Sequence, residues 1–517
     1  MKSPTWRACR ATLFACAAGA AGLAALAHAA DWPTWGGTPS RNMVSAETGL
    51  PTALVYATPP TSTEPPDPTT AKNLKWVAAL GTETYGNPTV GGGRVFVGTN
   101  NGKPRDPKYK DDYGILLCLD EKDGHLVWQL AVPKLAGGRE IDNPTSGICS
   151  SPAVDGDRVY TVTNRGEVLC LDVNGQADGN AGPFTDEAQY TAGPGQPPIP
   201  QGPTDADIVW RFDLRHQLGV VPRHMTSSSV LIVGDRLYVN TSNGTDWTAK
   251  HVPAPNAPAL ICLDKKTGKL LGVERSGISA RTLYGNYSSP SFGTVAGKPT
   301  VVFGGGDGFC YGFDPDPGTP GADGAGTLNE LWRVDCNPPA TRAPSPDGRP
   351  RKPGDEGGPS AIIASPVVAD GRVYVGVGWI SEADVGHAPG CFNAIGAGPG
   401  GKVVGLWQYT KIIQTMSTAS VGNGLVFVAD AAGIVHCLDP QTGAAVWTHD
   451  TESQVMGSTL LADGKLYVAG GDLTVLAASK EKKILGKLDF GSGLECTPVA
   501  ANGVLYITMK SQLFAVK

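Results

Sequence analysis

Hydrophobic and polar positions along the chain repeat one phrase. A small residue or Pro precedes a short apolar run, an Asp-Gly or Asn-Gly pair, and a run of the Val-Tyr-Val type. After a spacer come Cys-Leu-Asp-x-x-Thr-Gly and a run containing Trp. Short apolar runs bounded by Gly, Asn and Asp predict strands joined by tight turns. The clearest copy runs from Ser420-Val421 through Val426-Phe427-Val428, His436-Cys437-Leu438-Asp439 and Thr442-Gly443 to Val446-Trp447. The Val-Tyr element recurs eight times, at Phe96, Tyr160, Tyr238, Val302, Tyr374, Phe427, Tyr467 and Tyr506.

Each copy accounts for four strands, A to D. Strand A is the Ser-Pro-Ala-Val type of run, B the Val-Tyr run, C the Cys-Leu-Asp run, and D carries Trp128, Trp210, Trp332, Trp407 or Trp447. Two copies have Leu271-Gly272 and Leu485-Gly486 where Trp would stand. The last two spacings, 40 and 39 residues, match a four-stranded propeller blade. The eighth copy stops after strand C, at Phe514-Ala515-Val516, while Asn73-Leu74-Lys75-Trp76-Val77-Ala78 is a strand D without a blade. The expected fold is therefore all-β: an eight-bladed β-propeller of four-stranded antiparallel blades over residues 73–517, its ring closed by the N-terminal strand.

Composition agrees with many short strands. The 517 residues include 69 Gly and 42 Pro, above ordinary usage of roughly 7 % and 5 %. Lys2, Arg7 and Arg10 precede an Ala/Leu/Gly run ending at Ala27-His28-Ala29, which reads as a signal peptide over residues 1–29 and places the protein in the periplasm or outside the cell. Residues 30–72 read as an extended strap followed by a Pro/Thr-rich linker, with Trp32 and Trp35 packing on the propeller exterior. With 42 basic against 48 acidic residues the chain has no footprint for nucleic acid. No segment reads as a transmembrane span, and a monomer is expected. Cys118, Cys170, Cys262 and Cys437 fill one slot in separate repeats, too far apart to pair, and are expected as buried thiols. The pairing of Cys149, Cys310, Cys336, Cys391 and Cys496 stays open.

The Asp-x-x-Thr-Gly…Trp pattern resembles the tryptophan-docking motif of the pyrroloquinoline quinone (PQQ) repeat of quinoprotein alcohol dehydrogenases. The same repeat occurs in the propeller lipoprotein of the outer-membrane β-barrel assembly machinery. Asp31-Trp32-Pro33-Thr34-Trp35, Tyr85-Gly86-Asn87-Pro88, Val97-Gly98-Thr99-Asn100-Asn101-Gly102, Gly304-Gly305-Gly306-Asp307-Gly308 and Thr448-His449-Asp450 resemble secreted bacterial PQQ-binding-like propeller proteins. The resemblance implies the fold and leaves activity open. Its dehydrogenases use a Trp floor, often a vicinal disulfide lid, a calcium-binding Glu and Asn, and an Asp base. This chain has no adjacent Cys-Cys pair and no position-by-position match to that set, so no catalytic residue and no metal ligand carries over.

Loop lengths locate the candidate site. A–B turns are minimal, whereas B–C and D–A connections near 99–113, 134–147, 241–259, 340–361 and 379–400 are long, pointing to a binding face over blades 1–5. C–D insertions at about 173–207 and 315–329 lie on the other side. Ligand-binding candidates on those loops are Arg139, Arg223, His224, Trp247, Arg281, Tyr284, Trp379, Glu382, Asp384 and His387, with Asp142 and Asp246 beside them. Arg suits carboxylates and phosphates, and the two Trp offer stacking surfaces. The run from Asp172 to Asn180 departs from a calcium loop at Ala177 and reads as an Asx-rich turn; Gly304–Gly308 lacks a following helix and reads as a hairpin turn. The favoured function is a binding scaffold for an envelope protein or extracellular ligand. The alternative is a PQQ- and calcium-dependent dehydrogenase of an alcohol or sugar, with Arg281, Trp247 or Trp379 around the quinone. A carbohydrate-active hydrolase or lyase using Glu382 or Asp384 has no spacing signal behind it.

Overall fold

Asp370, Asn423, Asp463 and Asn502 adopt left-handed φ values of 50°, 55°, 54° and 52°, each followed by a Gly that is also left-handed. That is the backbone of a two-residue hairpin turn, and it closes strand A onto strand B in these blades. The computed structural model describes residue 1 and residues 30–56, 67, 69–135, 142–224, 226–322, 324–352, 355, 357–378 and 390–517. The signal-peptide segment and most of the Pro/Thr-rich linker lie outside them.

Eight sheets run A-B-C-D, formed in order by 89–133, 153–213, 231–274, 291–335, 367–409, 420–450, 460–488 and, for the eighth, 499–516 with 74–79. Strand A is innermost: the A strands of blades 1 and 2, 3 and 4, 4 and 5, and 6 and 7 touch one another. Leu74–Ala79 pairs antiparallel with Gln512–Val516, Trp76 opposite Ala515, so the N-terminal strand closes blade 8 as expected. Blade 3 departs from the four-stranded pattern. Gly326–Leu328, from the C–D insertion of blade 4, adds a fifth, parallel strand to Leu270–Glu274.

Docked tryptophans link successive blades. Five strand-D indoles donate their N–H to a carbonyl in the C–D connection of the next blade: Trp76 to Glu121 (3.1 Å), Trp128 to Val173 (2.9 Å), Trp210 to Lys265 (3.2 Å), Trp407 to Pro440 (3.1 Å) and Trp447 to Ser479 (2.9 Å). The N–H of Trp332 is buried without a hydrogen-bond partner among the described residues. The rings of Trp210 and Trp407 lie where a Cβ at Gly268 or Gly443 would be, and both glycines have a positive φ. Trp128 and Trp210 are buried, but Trp447 is only half-buried, on an outer strand that is mostly exposed. Where Trp is missing, chain segments fill the gap. A Cβ at Gly272 would meet the Pro317 side chain at 2.4 Å, and one at Gly486 would meet the Thr52 carbonyl oxygen at 2.1 Å.

The strap does not lie on the exterior. It runs through the central channel against strand A of every blade. Trp32 O accepts from Val90 N, Pro33 O from Val154 N, Pro39 O from Phe292 N, Ser40 O from Val368 N, and Met43 O from Leu461 N. Asn42 pairs with Val421 through both backbone groups, Ser45 Oγ donates to Ala500 O, and Glu47 accepts from Asn502 N and Gly503 N. Trp32 and Met43 are buried, because the inner strands leave an apolar hole that no blade can fill. At the axis, Arg41 is fully buried and makes no ion pair among the described residues. It donates to the carbonyls of Trp35, Ser229, Val230 and Pro290 and to Thr34 Oγ1. Desolvation lowers its pKa to about 9, so it stays charged at neutral pH.

Above the strap a belt of side chains ties neighbouring blades. Asn87 N donates to Ser151 Oγ, Ser151 N to Ser229 Oγ, Ser229 N to Ser289 Oγ, Thr418 N to Ser458 Oγ, Ser458 N to Thr497 Oγ1, and Thr497 N to Asn87 Oδ1. The equivalent hydroxyl of blade 5, Ser365, accepts from the Trp35 indole instead. The small residue that begins each repeat therefore satisfies backbone donors where the chain converges on the axis.

The nine cysteines among the described residues are free and buried. Burial raises the Cys170, Cys262 and Cys437 thiols to about 12. Thiol titration without reductant is expected to give nine equivalents for residues 30–517 after denaturation and almost none before it; fewer after denaturation would mean a disulfide. No helix among the described residues is long and apolar enough to cross a membrane.

Candidate functional site

Four of the ten sequence-selected residues meet at the B–C and D–A ends of blades 2 to 4. Arg223 and His224 lie midway along the connection from blade 2 to blade 3, Trp247 on the B–C loop of blade 3, and Tyr284 on the connection to blade 4. The Arg223 guanidinium carbon lies 4.8 Å from the Tyr284 ring centre and 5.3 Å from that of Trp247. Its Nη1 donates to Asp246 O at 2.7 Å, and its Nη2 is 3.5 Å from Tyr284 Oη. The His224 Nε2 and Tyr284 Oη are 2.9 Å apart, and the His224 ring stands edge-on to Trp247 at 5.6 Å.

Arg223, His224 and Tyr284 are buried, at 4 %, 7 % and 8 % exposure, whereas Trp247 is 45 % exposed. Arg223 Nε is buried with no hydrogen-bond partner among the described residues. The cluster is thus an exposed indole on a buried cationic and aromatic base. His224 holds a left-handed φ of 60°, uncommon for a residue with a Cβ, and its carbonyl accepts from Asn143 N of the preceding inter-blade connection. Tyr287 completes the base, donating to Arg223 O at 3.0 Å and lying 6.2 Å from the Tyr284 ring. Sequence reasoning passed over Tyr287. Its signal is the run Tyr284-Gly285-Asn286-Tyr287, in which Gly285 leaves the space that the Tyr287 ring fills.

The neighbouring candidates are engaged elsewhere. Arg281 bonds Asp307 (3.1 Å), Tyr311 Oη (2.7 Å) and Ser276 O (2.9 Å), bracing the turn 304–308 of blade 4, which is the hairpin turn expected. Asp246 caps its own loop through Thr248 Oγ1, and that hydrogen bond lowers its pKa. Asp142 is buried against Lys134 (2.8 Å) and Asn164 (2.8 Å), and burial raises its pKa. Arg139, Trp379, Glu382, Asp384 and His387 lie outside the described residues. The Asp172–Asn180 run forms a short 3-10 turn, Gly175–Asp178, closed by Asn174 to Asp178 at 2.9 Å.

The family described as outer membrane protein assembly factor BamB matches residues 73–307 and 398–485, more than half of the chain. The chain belongs to this PQQ-like propeller family. No curated protein sequence matches it. Among solved structures, BamB from Moraxella catarrhalis is similar over 85 % of this chain and 95 % of that one, at 13 % identity and a TM-score of 0.49. The quinohemoprotein alcohol dehydrogenase from Comamonas testosteroni is similar over 94 % and 80 %, at 14 % identity and 0.48. A europium-containing methanol dehydrogenase is similar over 94 % and 89 %, at 13 % identity and 0.44.

Among the described residues, those around Trp247 do not make a calcium-and-quinone site: the carboxylates there, Asp142 and Asp246, are committed, the first to Lys134 and the second to its own loop. The metal-competent trio among the described residues, Asp120, Asp123 and His125, lies in the C–D turn of blade 1, on the opposite face.

Proposed function

We propose that this BamB-like chain is an exported propeller scaffold that binds a protein or extracellular ligand through the B–C and D–A face of blades 1–5, with Trp247 at the contact centre. The observation that supports this is the half-exposed indole standing on buried Arg223, His224 and Tyr284. Trp, Tyr and Arg dominate interface hot spots, and a side chain held by a rigid base loses little freedom on binding. The family's description as an assembly factor agrees with a holding role rather than a catalytic one.

A photo-crosslinking residue at position 247, expressed in the producing cell, is expected to give one discrete adduct, and the same residue at position 447 none. With the captured partner in hand, Trp247→Ala should weaken binding at least tenfold, about 1.4 kcal/mol or more. The purified protein is also titrated with PQQ and Ca²⁺ and assayed for dye-linked oxidation of alcohols and sugars. Stoichiometric binding with turnover would replace the scaffold reading by a quinoprotein dehydrogenase.

A further inference from the structure

A second site lies away from Trp247, where the C–D insertion of blade 2 wraps around blade 1. The insertion adds itself along the outer strand of blade 1: Gln129 N donates to Thr204 O, and Ala206 N to Gln129 O, both at 2.9 Å. Its far end forms α1, Glu187–Ala192, which reaches the B–C end of blade 2, where Tyr190 Oη donates to Glu167 at 2.7 Å. The B–C loop of blade 1 clamps it from the other side, with Lys108 (2.5 Å) and Tyr109 (3.0 Å) on the buried Asp205. Between loop and insertion is a cavity of about 630 Å³, and a smaller one of about 220 Å³ shares Arg165, Gly193 and Pro194 with it.

The walls of the larger cavity carry opposite charge. Blade 1 presents Asp111 and Asp112, both exposed, and blade 2 presents Arg165 and Arg215. Lys134 also lines it but is neutralised by Asp142. Arg165 stacks on Tyr190 at 5.5 Å and lies 3.7 Å from Glu167, a carboxylate it shares with Arg211 and Tyr190. Its Nε is buried with no hydrogen-bond partner, and Arg215 makes no ion pair, both among the described residues. A cavity of this size holds a small molecule. Its complement is a ligand with a cation at one end and a carboxylate at the other: the Asp side suits an ammonium, and an Arg fork suits a carboxylate in bidentate geometry. A phosphate dianion would meet Asp111 and Asp112 with like charge.

We propose that this cavity binds a short peptide with free termini, its amino group toward Asp111 and Asp112 and its carboxylate on Arg165 and Arg215. The site lies on the blade 1 and 2 side of the same B–C and D–A face but uses none of the Trp247 cluster, so either reading can fail without the other. Calorimetric titration of the whole protein with trialanine, N-acetyl-trialanine and trialanine amide tests it. Trialanine is expected to bind, and each blocked form to bind at least tenfold more weakly. Arg215→Gln and Asp111→Asn, at positions with no role in the core, should each cause a similar loss while the thermal midpoint stays unchanged. Arg165→Gln should abolish binding; because Arg165 also packs on Tyr190, the two outer variants decide the matter if it misfolds. No binding of trialanine at millimolar concentration, equal binding of the blocked peptides, or unchanged binding by both outer variants would overturn the proposal.

Discussion

Replacing Arg41 with Met is expected to destabilise the propeller by about 3–5 kcal/mol, read as a fall in the urea or thermal midpoint. The side chain is fully buried and reaches four carbonyls on three parts of the molecule, the strap itself and the residues just ahead of the innermost strands of blades 3 and 4. Met fills part of the volume but leaves those oxygens buried without a donor, and each unpaired acceptor costs about 1–3 kcal/mol. Arg41→Lys should recover little of the loss, since one ammonium cannot span positions that a planar fork meets at once. A variant with an unchanged midpoint would mean that the axis does not depend on the strap. The strap also gives Trp32, Met43 and Leu50 to the core shared by blades 1, 7 and 8. A chain beginning at residue 73 should therefore bind the dye that reports exposed apolar surface.

The tryptophans that dock one blade on the next should divide into two classes. Trp128→Ala is expected to cost about 3–5 kcal/mol, because the indole is fully buried and truncation leaves a cavity between blades 1 and 2. Trp447→Ala should cost no more than about half of that: the residue is only half-buried, and water can enter the space it leaves. Parallel denaturation of the two variants decides this. Equal losses would show that the shared motif, rather than burial, sets the contribution of each indole.

This contrast marks where reading the repeats along the chain stops. Period and turn chemistry are local properties, and they suffice for strand order, blade number and the pairing of 73–78 with the last blade, because each rests on residues adjacent in sequence or on a plain count of strands. The same holds for the four buried Cys of the C strands, whose slot repeats with the blade. Arg223, His224, Trp247 and Tyr284 could be picked out as polar and aromatic residues on long loops. Their assembly over one buried guanidinium could not, since it depends on the ring bringing together loops 24 to 61 residues apart. Nothing in the sequence between Trp32 and Glu47 says whether an extended segment lies outside the propeller or through it. That was decided by geometry: eight inner strands leave a hole whose backbone donors and apolar walls need a partner, and the strap supplies it. The gaps at Gly272 and Gly486 are filled for the same reason. A missing indole leaves space between two blades, and the nearest free segment, Pro317 in one case and Thr52 in the other, closes it.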